Sequence, residues 1–248
     1  KADMTATALN RLDLAGAIEV GTLNMAEFAA SGTGHNEHYG DCRNPWNTDH
    51  IVGGSSSGSG AAVAARMVSG SLGSDTGGSV RIPAGLCGIT GIKPTDGRVS
   101  RYGLVAFASS LDQIGPLTKT VEDAALLLQA CAGGDKRDST CLDVEVPDFT
   151  AGLQEGVSGM KLGVPREFFA DEGLEPEVRE RIERALGKLE AEGAELVEIS
   201  LPSTSFSVAT YYILAPAEAS SNLSRYDGVR YGNRVDDGEG VIAMYRSS

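Results

Sequence analysis

The chain is poor in the residues that build metal sites, disulfide frameworks and charge-relay triads. Of its 248 residues, only four are cysteine and three are histidine. The cysteines are widely spaced and include no CxxC pair, which favours buried free thiols in a reducing compartment over disulfides or a zinc site. We therefore expect a cytoplasmic protein. The four cysteines are Cys42, Cys87, Cys131 and Cys141.

The scarce histidines also limit the chemistry that can be assigned. His35, His38 and His50 lie in one polar loop beside acidic residues, which invites comparison with a metal site. The loop has no paired cysteine motif, so we interpret it as a solvated surface and predict no metal. No histidine lies near the serine-rich segments, and the GxSxG pattern of serine hydrolases fails because Arg81 stands where its second glycine is required.

Long apolar runs and an excess of positive charge are missing as well. The longest apolar stretch, SVATYYILAPA over residues 207–217, falls short of the roughly 18 residues that a membrane span needs. The chain has 21 basic and 34 acidic residues, which give a formal net charge of -13. A surface of this sign repels nucleic-acid phosphates. We expect neither a membrane span nor direct nucleic-acid binding.

Glycine, by contrast, is abundant, with 32 residues. Many of them fall in two small-residue stretches, GGSSSGSG over residues 53–60 and GSDTGGSVRIPAG over residues 73–85. Composition alone describes the first stretch as a flexible linker. A phosphate-binding loop is the alternative, but the GxGxxG match that begins at Gly58 lacks its third glycine, and no clear strand precedes it. We therefore expect no nucleotide site.

The segment DTGGS, residues 75–79, has a sharper chemical interpretation. Consecutive glycines allow several backbone N–H groups to converge without obstruction by side chains. Donors arranged in this way beside a serine are what acyl transfer needs when a carbonyl oxygen gains negative charge. A structural glycine turn explains the same residues equally well, so both interpretations are open at this point.

Helical and strand patterns alternate along the chain, which indicates an α/β fold with helices covering a sheet. Between Arg81 and Thr120 the pattern predicts only short strands and turns, and Thr120 is the predicted N-cap of the helix that follows. Helices are predicted over residues 6–14, 24–30, 121–132 and 176–193 and from residue 58 onwards; strands are predicted over residues 17–21, 71–75, 161–165 and 194–200.

Taken together, GGSSSGSGAAVAA and GSDTGGSVRIPAGLCGITGIKPT resemble the amidase signature family in residues, order and spacing. The two segments span residues 53–95, and a match of this length is too long to arise by chance. It implies the family's α/β fold, a mixed central β-sheet surrounded by helices. It also implies a single amidase domain over residues 1–248 that is incomplete at both ends.

The resemblance further implies a catalytic triad. Ser79 matches the nucleophile that becomes acylated, and Ser55, which follows a cis peptide bond in the family, matches the serine that relays its proton. Backbone N–H groups at Thr76, Gly77 and Gly78 match the oxyanion hole. The third member in the family is a lysine base, which lies farther upstream than the 54 residues that precede Ser55. We therefore expect these 248 residues to lack the third member.

Two further segments, residues 97–140 and 201–234, resemble the A subunits of glutamyl-tRNA(Gln) amidotransferases. Members of this branch release ammonia from glutamine, and a partner protein uses it to amidate misacylated Glu-tRNA(Gln). The resemblance implies B and C subunits as partners, with ATP and Mg²⁺ used by the partner and no cofactor in this chain. It leaves Tyr211 or Tyr212 as the candidate contact to glutamine.

Two departures from this branch keep the substrate open. Ser57 stands where a glycine is usual, and the loop of residues 32–47 is less like the A subunits than like other amidases. A stand-alone amidase that acts on another amide is therefore a second hypothesis. A catalytically inactive module that serves in binding or assembly is the third.

Overall fold

The structure is a computed structural model that describes residues 4–169, 173–232, 234–236 and 238–248. Helices and strands both occur throughout the chain, which confirms the α/β class. The α-helices are α1 (Thr7–Leu14), α2 (Ser57–Ala64), α3 (Arg81–Cys87), α4 (Val121–Cys131), α5 (Pro176–Ala191), α6 (Ser207–Leu223) and α7 (Val241–Ser247). The strands are β1 (Gly70–Asp75), β2 (Thr90–Gly91), β3 (Gln113–Thr118), β4 (Lys161–Pro165) and β5 (Glu195–Ile199).

The chain divides into two compact units. The first comprises the described residues up to Phe149 together with Ile213–Ser248, and the second is Thr150–Tyr212. A single domain over residues 1–248 stays a prediction.

The first unit is built on a three-stranded antiparallel sheet. Strand β3 lies in the middle, with β1 on one side and β2 on the other, and all six of its residues are buried. Helices α2, α3 and α4 contact this sheet. Because β1 ends at Asp75 and α3 begins at Arg81, the segment between them forms a tight turn at one end of the sheet. The core residues include Ala8, Val80, Ala84, Val99, Ile114, Leu117, Leu128 and Cys131.

The second unit contains a two-stranded parallel sheet and its crossover helix. Strand β4 pairs with β5 from Lys161↔Glu195 to Pro165↔Ile199, and α5 lies between them in the chain. The sequence predicted all three elements to within two residues. Helix α5 starts with Pro176, a residue that is well tolerated in a first turn because it needs no intrahelical N–H partner there.

Helix α6 carries the most apolar stretch of the sequence and has Pro216 inside it. Among the described residues, no helix is long and apolar enough to cross a membrane.

The predicted strand over residues 17–21 is wrong. These residues have no regular secondary structure, and Ile18 and Val20 are 86% and 77% exposed. β-branched residues favour a strand when their side chains pack on a neighbouring strand, and within the described ranges no strand pairs with this segment. The predicted helix over residues 24–30 shrinks to a 3₁₀ turn, Glu27–Ala29, in which Phe28 has a φ of 50°.

Helix α3 was missed by the sequence pattern, which predicted only strands and turns after Arg81. Pro83 and Gly85 both have a low intrinsic preference for helix. Pro83 instead occupies the third position of α3, where a proline costs no intrahelical hydrogen bond. Its ring is buried, and a Cβ atom on Gly60 of α2 would come within 2.9 Å of it. The close approach of Pro83 therefore explains why residue 60 of α2 is a glycine.

Candidate active site

The turn between β1 and α3 is held from within by the carboxylate of Asp75, which is fully buried. Its Oδ1 accepts the Gly78 N–H at 2.9 Å, and its Oδ2 accepts the Val80 N–H at 3.1 Å. The Arg81 guanidinium donates to both oxygens, at 2.9 and 3.1 Å. One acid thus satisfies backbone donors on both sides of Ser79 and fixes the path of the turn.

The charge of this acid is stabilised locally. Burial raises the pKa of Asp75, but the hydrogen bonds from the Arg81 side chain and from the Val80 N–H outweigh burial, and the pKa lies below its ordinary value. The same pairing raises the pKa of Arg81. The pair therefore stays ionised at neutral pH and supports the turn with charge-assisted hydrogen bonds.

Ser79, the predicted nucleophile, is half-buried at the end of this turn. It follows Gly78, whose φ of 129° is a conformation that residues with a side chain rarely adopt. Its carbonyl oxygen accepts the Ser56 N–H at 3.2 Å, and its hydroxyl makes no hydrogen bond to another described residue. The hydrogen bond between Ser56 and Ser79 therefore joins the two serine stretches, and the role of Ser79 as the nucleophile stays a prediction.

Ser55, the predicted proton relay, has no exposed surface. The Gly54–Ser55 peptide bond is cis, as the resemblance implies. The Ser55 carbonyl accepts the Ala26 N–H at 3.0 Å, while the buried Oγ has no hydrogen-bond partner among the described residues. A buried hydroxyl without a partner is costly, so we expect a further polar group to hydrogen-bond to the Ser55 Oγ.

The chain holds the Ser55 segment against β1 through the next serine. The Ser56 Oγ donates to the Ser74 carbonyl at 3.3 Å and lies 3.2 Å from the Ser74 N–H. Close packing requires small residues here, because a Cβ on Gly73 would lie 2.5 Å from the Ser56 Oγ and a Cβ on Gly54 would lie 2.6 Å from the Ser31 carbonyl oxygen. GGSSSGSG is consequently a packed structural segment and not a linker.

The predicted oxyanion hole is refined by the hydrogen bonds of the turn. The Gly78 N–H already donates to Asp75, and the Thr76 hydroxyl donates to Asp112 at 2.6 Å. The backbone N–H of Thr76 is not used by that hydroxyl bond. In the described part of the chain, the backbone N–H groups of Thr76, Gly77 and Ser79 have no acceptor. These three donors are therefore the ones that remain for a bound oxygen.

Tyr211 and Tyr212, the candidate glutamine contacts, lie at the end of the second compact unit. Their rings meet edge to face, with centroids 5.4 Å apart, and Tyr212 is 69% exposed. Their role in binding stays a prediction.

The histidines of the polar loop and the four cysteines have structural environments that explain them without a metal site or a disulfide. His35 pairs with Asp41 and His38 with Glu27 on an exposed loop. Within the described ranges, no three or more His, Cys, Asp or Glu side chains form a group that could hold a metal ion. All four cysteines are free. Burial raises the pKa of both Cys87 and Cys131 to about 11, so their thiols stay protonated and unreactive at neutral pH.

The sequence pattern did not identify Asp75 and Asp112 as parts of the site. Asp75 was visible as the first residue of DTGGS, and a buried acid before a glycine turn is a signal that could have been used. Asp112 left no such signal, since it lies 36 residues away from Thr76 along the chain.

Comparison with known proteins identifies the family of the chain. The family model for amidases matches residues 1–248. The A subunit of the glutamyl-tRNA(Gln) amidotransferase from Syntrophobacter fumaroxidans is 59% identical over 242 residues, which are 98% of this chain and 50% of that protein. The crystal structure of the corresponding A subunit from Thermotoga maritima is 46% identical, with a TM-score of 0.86 over 100% of this chain and 51% of its own.

A more distant structure has the same fold. The native peptide amidase from Stenotrophomonas maltophilia is 33% identical, with a TM-score of 0.79 over 91% of this chain and 47% of its own. The chain spans about half the length of the curated relatives it matches. Because the family model matches every residue, the chain belongs to the amidase family.

Proposed function

We propose that this chain carries the nucleophile and the oxyanion hole of a glutamine amidohydrolase, the ammonia-releasing component of a tRNA-dependent amidotransferase. The observation that supports this proposal is the hydrogen bond from the Ser56 N–H to the Ser79 carbonyl at 3.2 Å. Ser56 follows Ser55, whose buried hydroxyl has no partner among the described residues. Ser79 ends a turn that has three N–H groups without an acceptor among the described residues. The similarity to glutamyl-tRNA(Gln) amidotransferase A subunits supports glutamine as the substrate.

The proposed reaction is acyl transfer to Ser79. The Ser79 Oγ forms a bond to the carbon of the side-chain amide. Its proton passes to the Ser55 Oγ as the Ser55 hydroxyl proton passes to a base, and the same relay later returns a proton to the leaving nitrogen. The carbonyl oxygen becomes an oxyanion, which the N–H groups of Thr76, Gly77 and Ser79 stabilise. The C–N bond then breaks as the nitrogen takes up a proton, so that ammonia leaves. Water hydrolyses the glutamyl ester and restores the serine.

The proton relay needs a base beyond Ser55, because a hydroxyl is a weak nucleophile at neutral pH. The resemblance implies a neutral lysine amine in this role. Of the described lysines, Lys93 donates to the Pro94 carbonyl at 2.8 Å, and Lys161 and Lys188 pair with glutamates. None donates to the Ser55 Oγ, which has no partner among the described residues. The proposed base is therefore a lysine that these residues do not supply.

The proposed partners are B and C subunits in the cytoplasm. The partner uses ATP and Mg²⁺ to activate Glu-tRNA(Gln) and then consumes the ammonia, while this chain needs no cofactor. Its net charge of -13 supports this division of labour, since an acidic surface leaves tRNA binding to the partner.

A stand-alone amidase is the second candidate function. The loop of residues 32–47 departs from the A-subunit pattern, and the similarity to a peptide amidase indicates that the same fold serves other amides. An inactive binding module is the third, and it would explain why the Ser55 hydroxyl has no partner among the described residues.

The decisive experiment measures ammonia release from glutamine by the native gene product, with and without B and C subunits. We expect turnover that rises when the partners are added and that disappears in Ser79→Ala. Ser69→Ala, which changes an exposed serine outside the site, is the matched control and should keep full activity. Activity that ignores the partners and prefers another amide would favour the stand-alone amidase. Full glutaminase activity in Ser79→Ala would contradict the nucleophile assignment.

A further inference from the structure

Asp112 is a buried acid that connects the catalytic turn to a second loop. Asp112 is only 3% exposed. The Oδ1 atom accepts the Thr76 hydroxyl at 2.6 Å, and the Oδ2 atom accepts the Phe107 N–H at 2.8 Å. The Ala108 N–H lies 3.1 Å from both oxygens. Asp112 therefore fixes the turn and the loop of residues 107–112 to each other through neutral donors.

The other side of this loop is held by helix α6. The Glu218 carboxylate accepts the Ser110 N–H at 3.0 Å and also accepts the Ser110 hydroxyl. The Asn222 side-chain amide donates to the Phe107 carbonyl at 3.2 Å and to the Ser109 hydroxyl at 3.1 Å. Glu218 and Asn222 are four residues apart and thus lie on one face of the helix. A continuous set of hydrogen bonds runs from α6 through Asp112 to Thr76.

This connection ends beside the reacting groups. Thr76 directly precedes Gly77, whose N–H has no acceptor in the described residues, and it lies three residues before Ser79. Catalysis by preorganised N–H donors depends on their placement, since the donors must already point at the position of the oxyanion. A restraint on the Thr76 side chain therefore restrains the position of the Gly77 N–H.

We propose that Asp112 is a positioning residue, which holds the Gly77 and Ser79 N–H groups in place through the Thr76 hydroxyl and is itself anchored by α6. The proposal rests on the proposed function, in which these N–H groups stabilise an oxyanion. Asp112 makes no contact with substrate in this account. Its effect appears in the rate of the chemical step and not in the binding of the amide.

Substitution of Thr76 tests the role of its hydroxyl while the backbone N–H donors stay in the chain. Thr76→Val removes the hydroxyl and keeps the shape, and we expect kcat to fall by about 100-fold, the size of effect that a small misplacement of reacting groups produces. The KM for glutamine should change little. Thr76→Ser restores the hydroxyl and should restore most of kcat. Equal kcat values in Thr76→Val and the wild type would overturn the proposal.

Asp112→Asn tests the other partner of the same hydrogen bond. We expect a loss of kcat at least as large. The double variant with Thr76→Val should lose little more than Asp112→Asn alone, because both substitutions act on the hydrogen bond between Thr76 and Asp112. The matched control is Asp123→Asn, which makes the same change at a Thr–Asp pair of 2.7 Å, Thr120 with Asp123, at the start of α4. The control should keep wild-type kcat.

Hydrogen exchange distinguishes a failure of this inference from a failure of the proposed function. Wild-type protein without glutaminase activity would contradict the proposed function, whatever Asp112 does. The backbone amides of residues 76–80 should still exchange faster in Asp112→Asn than in the wild type or in Asp123→Asn. Unchanged exchange in this segment would overturn the positioning role, even if the wild type hydrolyses glutamine.

Discussion

The Asp75 carboxylate accepts the backbone N–H of Gly78, the residue immediately before Ser79, at 2.9 Å. Asp75 also binds the Val80 N–H and the Arg81 guanidinium, so the turn closes around one buried acid. The N–H groups of Thr76, Gly77 and Ser79 are left without acceptors among the described residues. Some N–H groups of the turn therefore bind the Asp75 carboxylate and hold the turn, whereas the others are available to a ligand.

Asp75→Asn should lower both stability and activity. The substitution removes the charge from a fully buried side chain and weakens its hydrogen bonds to Arg81, and hydrogen bonds to charged groups each contribute about 1.5–3 kcal/mol. We expect a loss of about 2 kcal/mol in the free energy of unfolding, measured by urea titration. An unchanged unfolding midpoint would show that Asp75 does not support the turn.

Acid should remove the contribution of Asp75 in a predictable direction. The folded pKa of Asp75 lies below its ordinary value, so its stabilising effect is present above the unfolded pKa of about 3.9. The effect is lost as the pH falls through the folded pKa. The stability difference between the wild type and Asp75→Asn should therefore shrink as urea titrations are repeated at pH values from neutral to below about 3. A difference that stays constant or grows would contradict the assignment.

Gly54→Ala tests the packing around Ser55. The added Cβ would lie 2.6 Å from the Ser31 carbonyl oxygen and 3.1 Å from the Gly34 backbone nitrogen, and relief of such a contact costs about 1–3 kcal/mol. We expect lower thermal stability together with loss of glutaminase activity.

Gly85→Ala is the matched control for this substitution. Gly85 lies in α3, and a Cβ atom there meets nothing within 4 Å. Replacing a helical glycine by alanine should stabilise the protein by about 0.5–1 kcal/mol. Destabilisation by Gly85→Ala that equals the effect of Gly54→Ala would mean that the loss at Gly54 is not caused by its contacts with Ser31 and Gly34.

The buried thiols should be unreactive in the folded protein. Burial raises the pKa of Cys87 and Cys131 to about 11, and the thiolate is the species that reacts with disulfide reagents. At a pH of about 8, below the ordinary thiol pKa of about 8.5, both thiols should react far more slowly than in denaturant. Because the pKa values of both thiols are higher in the folded than in the unfolded protein, their contribution to the free energy of unfolding is fully present below the ordinary thiol pKa. This contribution is lost as the pH rises through the folded pKa. Rapid modification of Cys87 or Cys131 in native protein would contradict their burial.

Sequence patterns anticipated the local parts of this structure better than the long-range ones. The N-cap at Thr120 is confirmed, since its Oγ1 accepts the Asp123 N–H at 3.1 Å. Such signals depend on a few adjacent residues. The contact between Thr76 and Asp112 has no local pattern, because it is created only when two distant loops meet.

Two errors have the same physical origin. Helix α3 was missed because Pro83 suggests a break, although a proline in the first turn is compatible with a helix. The segment of residues 17–21 has the β-branched residues of a strand, but strand formation depends on a neighbouring strand as much as on composition. In both cases the local preference was real, and the surrounding structure decided the outcome.

The central claim is that Ser79 carries the acyl group during hydrolysis of the amide. Mass spectrometry of the native gene product, quenched with acid during turnover of glutamine, tests it most directly. We predict one glutamyl group attached to the peptide that contains Ser79, and no such adduct in Ser79→Ala. Glutamine hydrolysis with the adduct on a different residue, or undiminished in Ser79→Ala, would contradict the account.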